Sequence, residues 1–421
     1  MIINFGKPLL IIDGPNFSGR TATLRNITDS ASTPMSHVRA RLTSSSVYIG
    51  PEIYNSLSGI GLTVRLEIQL HAGRPLGESP IRGLIERLEL ARIYDRSPFT
   101  LSGGEQAMVV IASCLALDPD VLAIDCALEQ VDDGPRSVLV NWIANGRRGK
   151  YAAIADNSLS EWSLEVPNVR IDLEANTSRV DHRCGPLQFV DCSPIAPRLT
   201  GELRLDRLQF AYCAGAPIIR NASARLCAGA VYVLAGKNGV GKTTLSKIVS
   251  GLLRPQVGQV LLRGNSVPPW DQPGRLIGYH FQNPDVQLFT TRVEDEICIG
   301  LSALGYTTSE VKVRRDWALE AFGLSSVRAE HPLDLPFVAR KRIALASILA
   351  AGLPWIVLDE PTLGQDQQSR EAIRTIISAL SRYGTGFVVV SHSQSFRKSL
   401  QATSLLLQNG TLTVADRLGP E

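Results

Sequence analysis

Lysine is scarce in this chain. Of 43 basic residues only 8 are lysine, against 35 arginine, so a lysine set in a glycine-rich loop is not easily put down to composition. Long apolar runs are absent too. No stretch approaches the ~18 residues of a membrane span, so any action at a membrane needs another subunit to supply the membrane part. Net charge is small, +3 over 421 residues. That gives no electrostatic footprint for nucleic acid, and the basic stretch Arg340, Lys341, Arg342 reads as a solvated helix face. The seven cysteines lack metal-ligand spacing; Cys184 and Cys192 flank a linker-like stretch, with no second pair to complete a zinc site. Such an odd, unpatterned set fits a reducing cytosol. The opening MIINFGKPLLIIDG has too short an apolar run for a secretory signal and reads as a first strand. What remains, 44% hydrophobic and 6% aromatic, is ordinary α/β material with room for two domains of roughly 200 residues.

The chain repeats itself. The first half carries GPNFSGRT (14–21), LSGGEQ (101–106), VLAIDC (121–126) and AIADNS (153–158). The second carries GKNGVGKT (236–243), LPFVAR (335–340), IVLDEP (356–361) and VVSHSQ (389–394). Leu101 to Asp125 is 24 residues, and so is Leu335 to Asp359; Asp125 to Asp156 is 31, and Asp359 to His392 is 33. We therefore expect two copies of one domain, 1–182 and 202–421, joined by an irregular segment over 183–201. Short β-rich runs alternate with amphipathic ones, as in a mainly parallel sheet flanked by helices. In the second copy VYVLAG, WIVLDE and GFVVVS are the strand candidates, with polar residues at their C-terminal ends, where such sheets place ligands.

GKNGVGKT follows a strand and precedes a helical run, the context a phosphate-binding loop requires. Its glycines let backbone N–H groups face phosphate oxygens, with Asn238, Gly239, Gly241 and Thr244 completing the cradle. Lys242 would reach the β- and γ-phosphates and Thr243 would ligate Mg²⁺; the plain alternative is a flexible glycine turn. Asp359 would hold Mg²⁺, and Glu360 would polarise the attacking water. A strand-end Asp-Glu pair by itself would be a solvated loop; the phosphate loop upstream favours the catalytic reading. His392 could sense the γ-phosphate, although a lone histidine is commonly structural. Gln282 could contact Mg²⁺ or the water, or be an ordinary loop glutamine. Tyr212 could stack on adenine, or pack against the sheet.

LSGGEQ, a phosphate loop and LDEP together resemble the ATP-binding-cassette (ABC) ATPases, and the likeness covers nearly the whole chain, twice. FQNPDVQLFTTRVEDEI followed by GLSALG resembles the energy-coupling-factor (ECF) ATPases, which drive modular vitamin and metal-ion importers. The resemblance implies an α/β fold, a tandem duplicated P-loop NTPase. Each copy would have a RecA-like core, a helical signature subdomain and a small antiparallel β subdomain. It implies ATP and Mg²⁺. It also implies head-to-tail closure, each phosphate loop meeting the other copy's signature, where Ser102, Gly103 and Gly104 would face the γ-phosphate. Asp132 would reach across to the same site.

Sorted by composite site, the losses segregate. The first copy has Gly14, Gly19 and Thr21 but Arg20 at the lysine position. It retains Asp125, with Cys126 at the general-base position and Asp156 at the histidine position. Glu52 or a neighbour replaces the glutamine, and no N-terminal extension carries an adenine-stacking tyrosine. Its LSGGEQ is intact. The second copy keeps every catalytic landmark but reads LPFVAR, with Pro336 for the serine. Head-to-tail pairing puts all damage into one site. A thiol, mostly protonated near pH 7 and a weak acceptor, does not replace the carboxylate. Cys126 as a nucleophile would need an activating base, which the nearby sequence lacks. Arg for Lys in a tight loop is not conservative, yet Thr21 and Asp125 remain, so this site is expected to hold nucleotide without hydrolysing it.

The resulting expectation is the energising subunit of a membrane transporter. Its partners would be an ECF-type transmembrane component and a substrate-binding membrane subunit, with the two copies pairing within one chain at the cytoplasmic membrane face. Docking would fall near FQNPDVQLFTTRVEDEI, although the VEDE run is also what a helix N-terminus favours. The competing class, a soluble ABC protein acting on ribosomes or DNA, would be expected to carry a long charged arm that this linker lacks. A third, a regulatory nucleotide-binding module, fits poorly with the full catalytic set of the second copy.

Overall fold

The computed structural model describes residues 9–13, 20–28, 46–58, 60, 62–72, 82–145, 150–157, 168–172, 184–212, 217–262, 270 and 273–415. The chain divides into two compact units, Met1–Asp181 and His182–Glu421.

In the first unit the strands are β1 (Leu9–Asp13), β2 (Ser46–Ile49), β3 (Val121–Asp125), β4 (Tyr151–Ala155) and β5 (Asn168–Asp172). They form one sheet in the order β2-β3-β4-β1-β5, every pair parallel. Helices α1 (Arg20–Thr28), α2 (Val64–Ala72), α3 (Arg82–Arg87), α4 (Gly103–Ala116) and α5 (Asp133–Asn145) complete it. All five residues of β3 are buried. A parallel strand covered on both faces reads as a continuous apolar run, and that is why VLAID shows no alternation.

The second unit has a nine-stranded sheet ordered β10-β11-β12-β8-β13-β14-β7-β6-β9. Its parallel half is β10 (Ile277–His280), β11 (Trp355–Asp359), β12 (Gly386–Val390), β8 (Val231–Ala235) and β13 (Thr403–Gln408). This half repeats the first unit's order strand for strand. The three strand candidates of the second copy thus fall on β8, β11 and β12. Beyond β14 (Thr411–Ala415) lie β7 (Ile219–Leu226), β6 (Leu203–Phe210) and β9 (Val257–Leu262), with β6 antiparallel to both β7 and β9. LRLDRLQF alternates buried with exposed residues along most of β6, the pattern of a strand with one wet face. Among the described residues the first unit has no antiparallel strand, so the antiparallel layer is seen in the second unit alone. Of the helices α6 (Lys242–Val249), α7 (Val293–Ala303), α8 (Thr308–Ala321), α9 (Phe337–Ala350), α10 (Gln367–Arg382) and α11 (Gln394–Ser399), α6, α9 and α10 lie against the sheet, α7 and α8 pack on α9, and α11 packs on α10.

Residues 184–201 are irregular, as their composition suggests, but they are fastened to the second unit. The Gly185 N–H donates to Gly323 O (2.7 Å) and the Gln188 N–H to Ala321 O (3.0 Å). The buried Arg314 guanidinium donates to Ile195 O, Ala196 O and Ala350 O and lies 4.2 Å from the centre of the Tyr306 ring. The Trp355 indole donates to Gly201 O.

One expectation is overturned. Arg340, Lys341 and Arg342 do not form a solvated face; all three are buried on α9. Arg340 makes a two-oxygen contact with Asp285 at 2.7 and 2.8 Å. Lys341 donates to Phe281 O and Gln282 O, and Arg342 to Gly185 O and Ser369 Oγ. Sequence shows that a segment is basic; it does not show that carbonyls and a carboxylate wait on the inner side. Arg314→Ala, which strands three carbonyls and removes a stacked cation, is expected to destabilise the second unit by roughly 2–3 kcal/mol. Urea unfolding, with faster proteolytic cleavage within 184–201, would read this out.

Candidate active site

The glycine loop after β8 curls because its glycines adopt conformations closed to other residues. Gly236 has φ 151°, and a Cβ there would lie 2.6 Å from Leu407 O; Gly241, which opens α6, has φ 106°. Lys242 is the first residue of α6, and its ammonium donates to Gly236 O (2.7 Å) and Lys237 O (3.2 Å), carbonyls of its own loop. Those bonds are of the kind phosphate oxygens can replace. The side-chain N–H₂ of Asn238 is buried without a hydrogen bond. Tyr212 is not packed into the sheet: the residue is 59% exposed, its ring stands perpendicular to that of Phe210, and its hydroxyl lies 3.2 Å from Thr244 Oγ1. It leaves a free aromatic face beside the loop.

At the end of β11 the Asp359 carboxylate accepts from the Tyr279 hydroxyl (2.9 Å) and from the Thr243 hydroxyl. Glu360 follows with φ 48°, its N–H donating to Val390 O (2.9 Å). This left-handed step turns its side chain toward His392, whose Nε2 lies 3.6 Å from Glu360 Oε1. That oxygen is buried and makes no hydrogen bond, an arrangement that natural structures keep mostly where function uses it. Burial raises both the Asp359 and the Glu360 carboxyls, against the charges of Lys341 and His392. Burial also pulls the Lys341 ammonium down to about 7, with Asp359 and Glu360 opposing.

The first unit builds the same frame with other side chains. Asp125 accepts from the hydroxyls of Tyr48 (3.0 Å) and Thr21. Cys126 has φ 54°, and its N–H donates to Ala155 O (2.8 Å). Arg20 begins α1 as Lys242 begins α6, and is buried. Gly14 and Gly19 lie outside the described residues.

One positional assignment needs correction, and another, left between Glu52 and a neighbour, is narrowed. Asp125 pairs with Ala155 and Asp359 with Val390, so Asn157, not Asp156, stands where His392 does. Asn157 Nδ2 is 3.6 Å from Cys126 Sγ, and Glu129 accepts from both its backbone N–H and its side-chain amide at 2.9 Å. Spacing misled by one residue because the turns between the landmarks differ in length. By the same reasoning on β2 and β10, Pro51 rather than Glu52 occupies the place of Gln282. Burial, then Glu129 and Asp125, pushes the Cys126 thiol well up, the direction opposite to an activated thiolate.

The signatures differ at the helix start. Ser102 caps α4 with a reciprocal box: its hydroxyl accepts from the Glu105 N–H, and Glu105 accepts from the Ser102 N–H (3.1 Å). Gly103 and Gly104 begin that helix, and Asp132 immediately precedes α5. Pro336 opens α9 with no side-chain cap.

Tyr48, Tyr279 and Lys341 escaped the reading of motifs. The tyrosines had a findable signal, since each sits just before the end of its strand in both copies (VYIG and GYHF). Lys341 had none.

A glycine loop between strand and helix, with an acid at the end of β11, one strand removed from β8, defines a P-loop ATPase. The family model described as ABC transporter matches residues 219–363. The chain is 40% identical over 203 residues to a putative ABC transporter ATP-binding protein of Pyrococcus furiosus, covering 48% of this chain and 78% of that one. It is 34% identical over 211 residues to the energy-coupling factor transporter ATP-binding protein EcfA1 of Thermotoga maritima (50% and 80%). A putative ABC transporter ATP-binding protein of Methanosarcina mazei is 28% identical over 365 residues (82% and 72%). The chain belongs to the ATP-binding proteins of ABC transporters and is an ABC ATPase. Among the described residues no helix is long and apolar enough to cross a membrane.

Iodoacetamide at pH 7.5 is expected to modify the exposed Cys227 in the native chain and to reach Cys126 only after unfolding, as read by peptide mass spectrometry.

Proposed function

We propose that this chain is the energising ATPase of an ECF-type uptake transporter for a vitamin or metal ion, with one hydrolytic and one non-hydrolytic nucleotide site. The observation that carries the asymmetry is a single backbone turn, repeated, holding a buried glutamate with an unbonded oxygen in one unit and a buried cysteine in the other.

In the hydrolytic site Tyr212 offers its free face to adenine. Asn238, Gly239, Gly241, Lys242 and Thr244 cradle the phosphates, and Glu360, oriented by its left-handed backbone, orders and polarises the attacking water. His392 and Gln282 align that water and the γ-phosphate. Ser102, Gly103 and Gly104 of the first unit close the site from the other side, with Asp132 beside them. Among the described residues no group of three or more His, Cys, Asp or Glu could hold a metal. Mg²⁺ needs no such cage, since it takes one or two carboxylates plus substrate phosphates and water. Thr243, Asp359 and Gln282 are hard oxygen donors that fit it, Asp359 and Thr243 being already hydrogen-bonded to each other. When bound, Mg²⁺ supplies charge neutralisation of the phosphates.

The second site, around Arg20, Thr21, Asp125 and Cys126, holds nucleotide without turning it over and serves as a hinge. This sorting favours pairing of the two units within one chain; two chains joined through their second units would set Lys242 against Pro336. The membrane partner is a transmembrane component docking at residues 281–297, together with a membrane subunit that binds the solute. The protein would sit peripherally at the cytoplasmic face.

Steady-state ATPase assays test the asymmetry. Lys242→Ala, Glu360→Gln and Ser102→Arg are each expected to lower turnover at least ~10²-fold, whereas Arg20→Ala should retain it. Strong turnover in Glu360→Gln would refute the reading. Detergent extraction from the native membrane should bring small hydrophobic subunits down with the chain; sedimentation with ribosomes would point to the soluble class.

A further inference from the structure

The Gln282 loop is bound to α9 at successive levels. Arg340 meets Asp285 through both carboxylate oxygens, Lys341 donates to Phe281 O (3.1 Å) and Gln282 O (2.7 Å), and the Gln287 amide donates to Ala344 O (2.8 Å). α9 is the helix that follows the ruined signature, and Lys341 is 1% exposed on it. Aligned on the signatures, Lys341 corresponds to Ala107 and Arg340 to Gln106. Gln106 instead donates to Pro98 O.

A buried ammonium survives only where its charge and hydrogens are answered. Here two loop carbonyls answer the hydrogens, and the Asp359 and Glu360 carboxylates answer the charge. The same group therefore bonds the loop that carries Gln282, and that loop follows β10, the strand paired with β11, which ends in Asp359.

We propose that Lys341 is a positioning residue for ATP hydrolysis: its buried ammonium anchors the Gln282 backbone to α9 and holds the loop in register with the Asp359–Glu360 strand end. A helix that has lost its signature has thus acquired a task within its own unit. The inference rests on the reading of the second unit as the hydrolytic one.

The test is ATPase kinetics of the full chain with Lys341→Met, Gln282→Ala and their combination, alongside Glu360→Gln. A misplacement of about 1 Å in a positioned group costs on the order of 10²-fold. Lys341→Met is expected to lower kcat by about that factor while KM for MgATP stays within about twofold. The double variant should be no slower than the worse single variant, since both act through one group. Turnover of Lys341→Met within about threefold of the parent, or losses that multiply in the double variant, would overturn the proposal. Lys341→Gln keeps a donor without the charge and guards against a folding failure; if it and Lys341→Met both fail to fold, the lysine is structural and the proposal falls. If Glu360→Gln retains turnover, the catalytic reading itself fails; if it silences the chain while Lys341→Met does not, only the Lys341 inference fails.

Discussion

The chemistry of this protein depends on one backbone hydrogen bond made twice. At the end of the strand that carries the aspartate, the next residue takes a left-handed conformation and its N–H donates to the last carbonyl of the adjacent strand. Glu360 binds Val390 in this way, and Cys126 binds Ala155. For residues other than glycine that conformation is strained, and it persists because parallel pairing on both sides over-determines it. Its effect is to aim one side chain at the space above the sheet, beside the phosphate loop.

With that strand-end turn held constant, the side chains placed on it differ between the two units. Both keep an aspartate that accepts from a tyrosine hydroxyl on the neighbouring strand and from the threonine that follows the loop cation. The aiming position then offers a carboxylate beside a histidine in one unit. In the other it offers a thiol beside an asparagine that Glu129 holds by two hydrogen bonds. The first arrangement leaves a buried acceptor oxygen without a hydrogen bond. The second spends the amide's hydrogens internally and presents a thiol whose proton burial retains. The first unit thus carries different side chains on the same strand-end turn.

α9 shows the converse. Its start has lost the serine and glycines that would contact a phosphate, and its interior has gained cations facing inward. These cations cross-link the Gln282 loop, the segment 184–201 and α10. The helix is fastened to its own unit along its buried face.

The sequence by itself determined the repeat, the parallel α/β character, the glycine loop, and the identity of the carboxylate pair. These depend on local rules: apolar runs for buried strands, glycine where φ is positive, and short fixed spacings between landmarks on one element. It did not determine which first-unit residue corresponds to His392, since loop lengths differ and only strand pairing sets the register that selects Asn157. Nor did it reveal that Arg340, Lys341 and Arg342 face inward. Charge is a property of the residue, whereas burial depends on which carbonyls and carboxylates the distant chain brings to meet it, and that is decided only when α9 packs against the Gln282 loop.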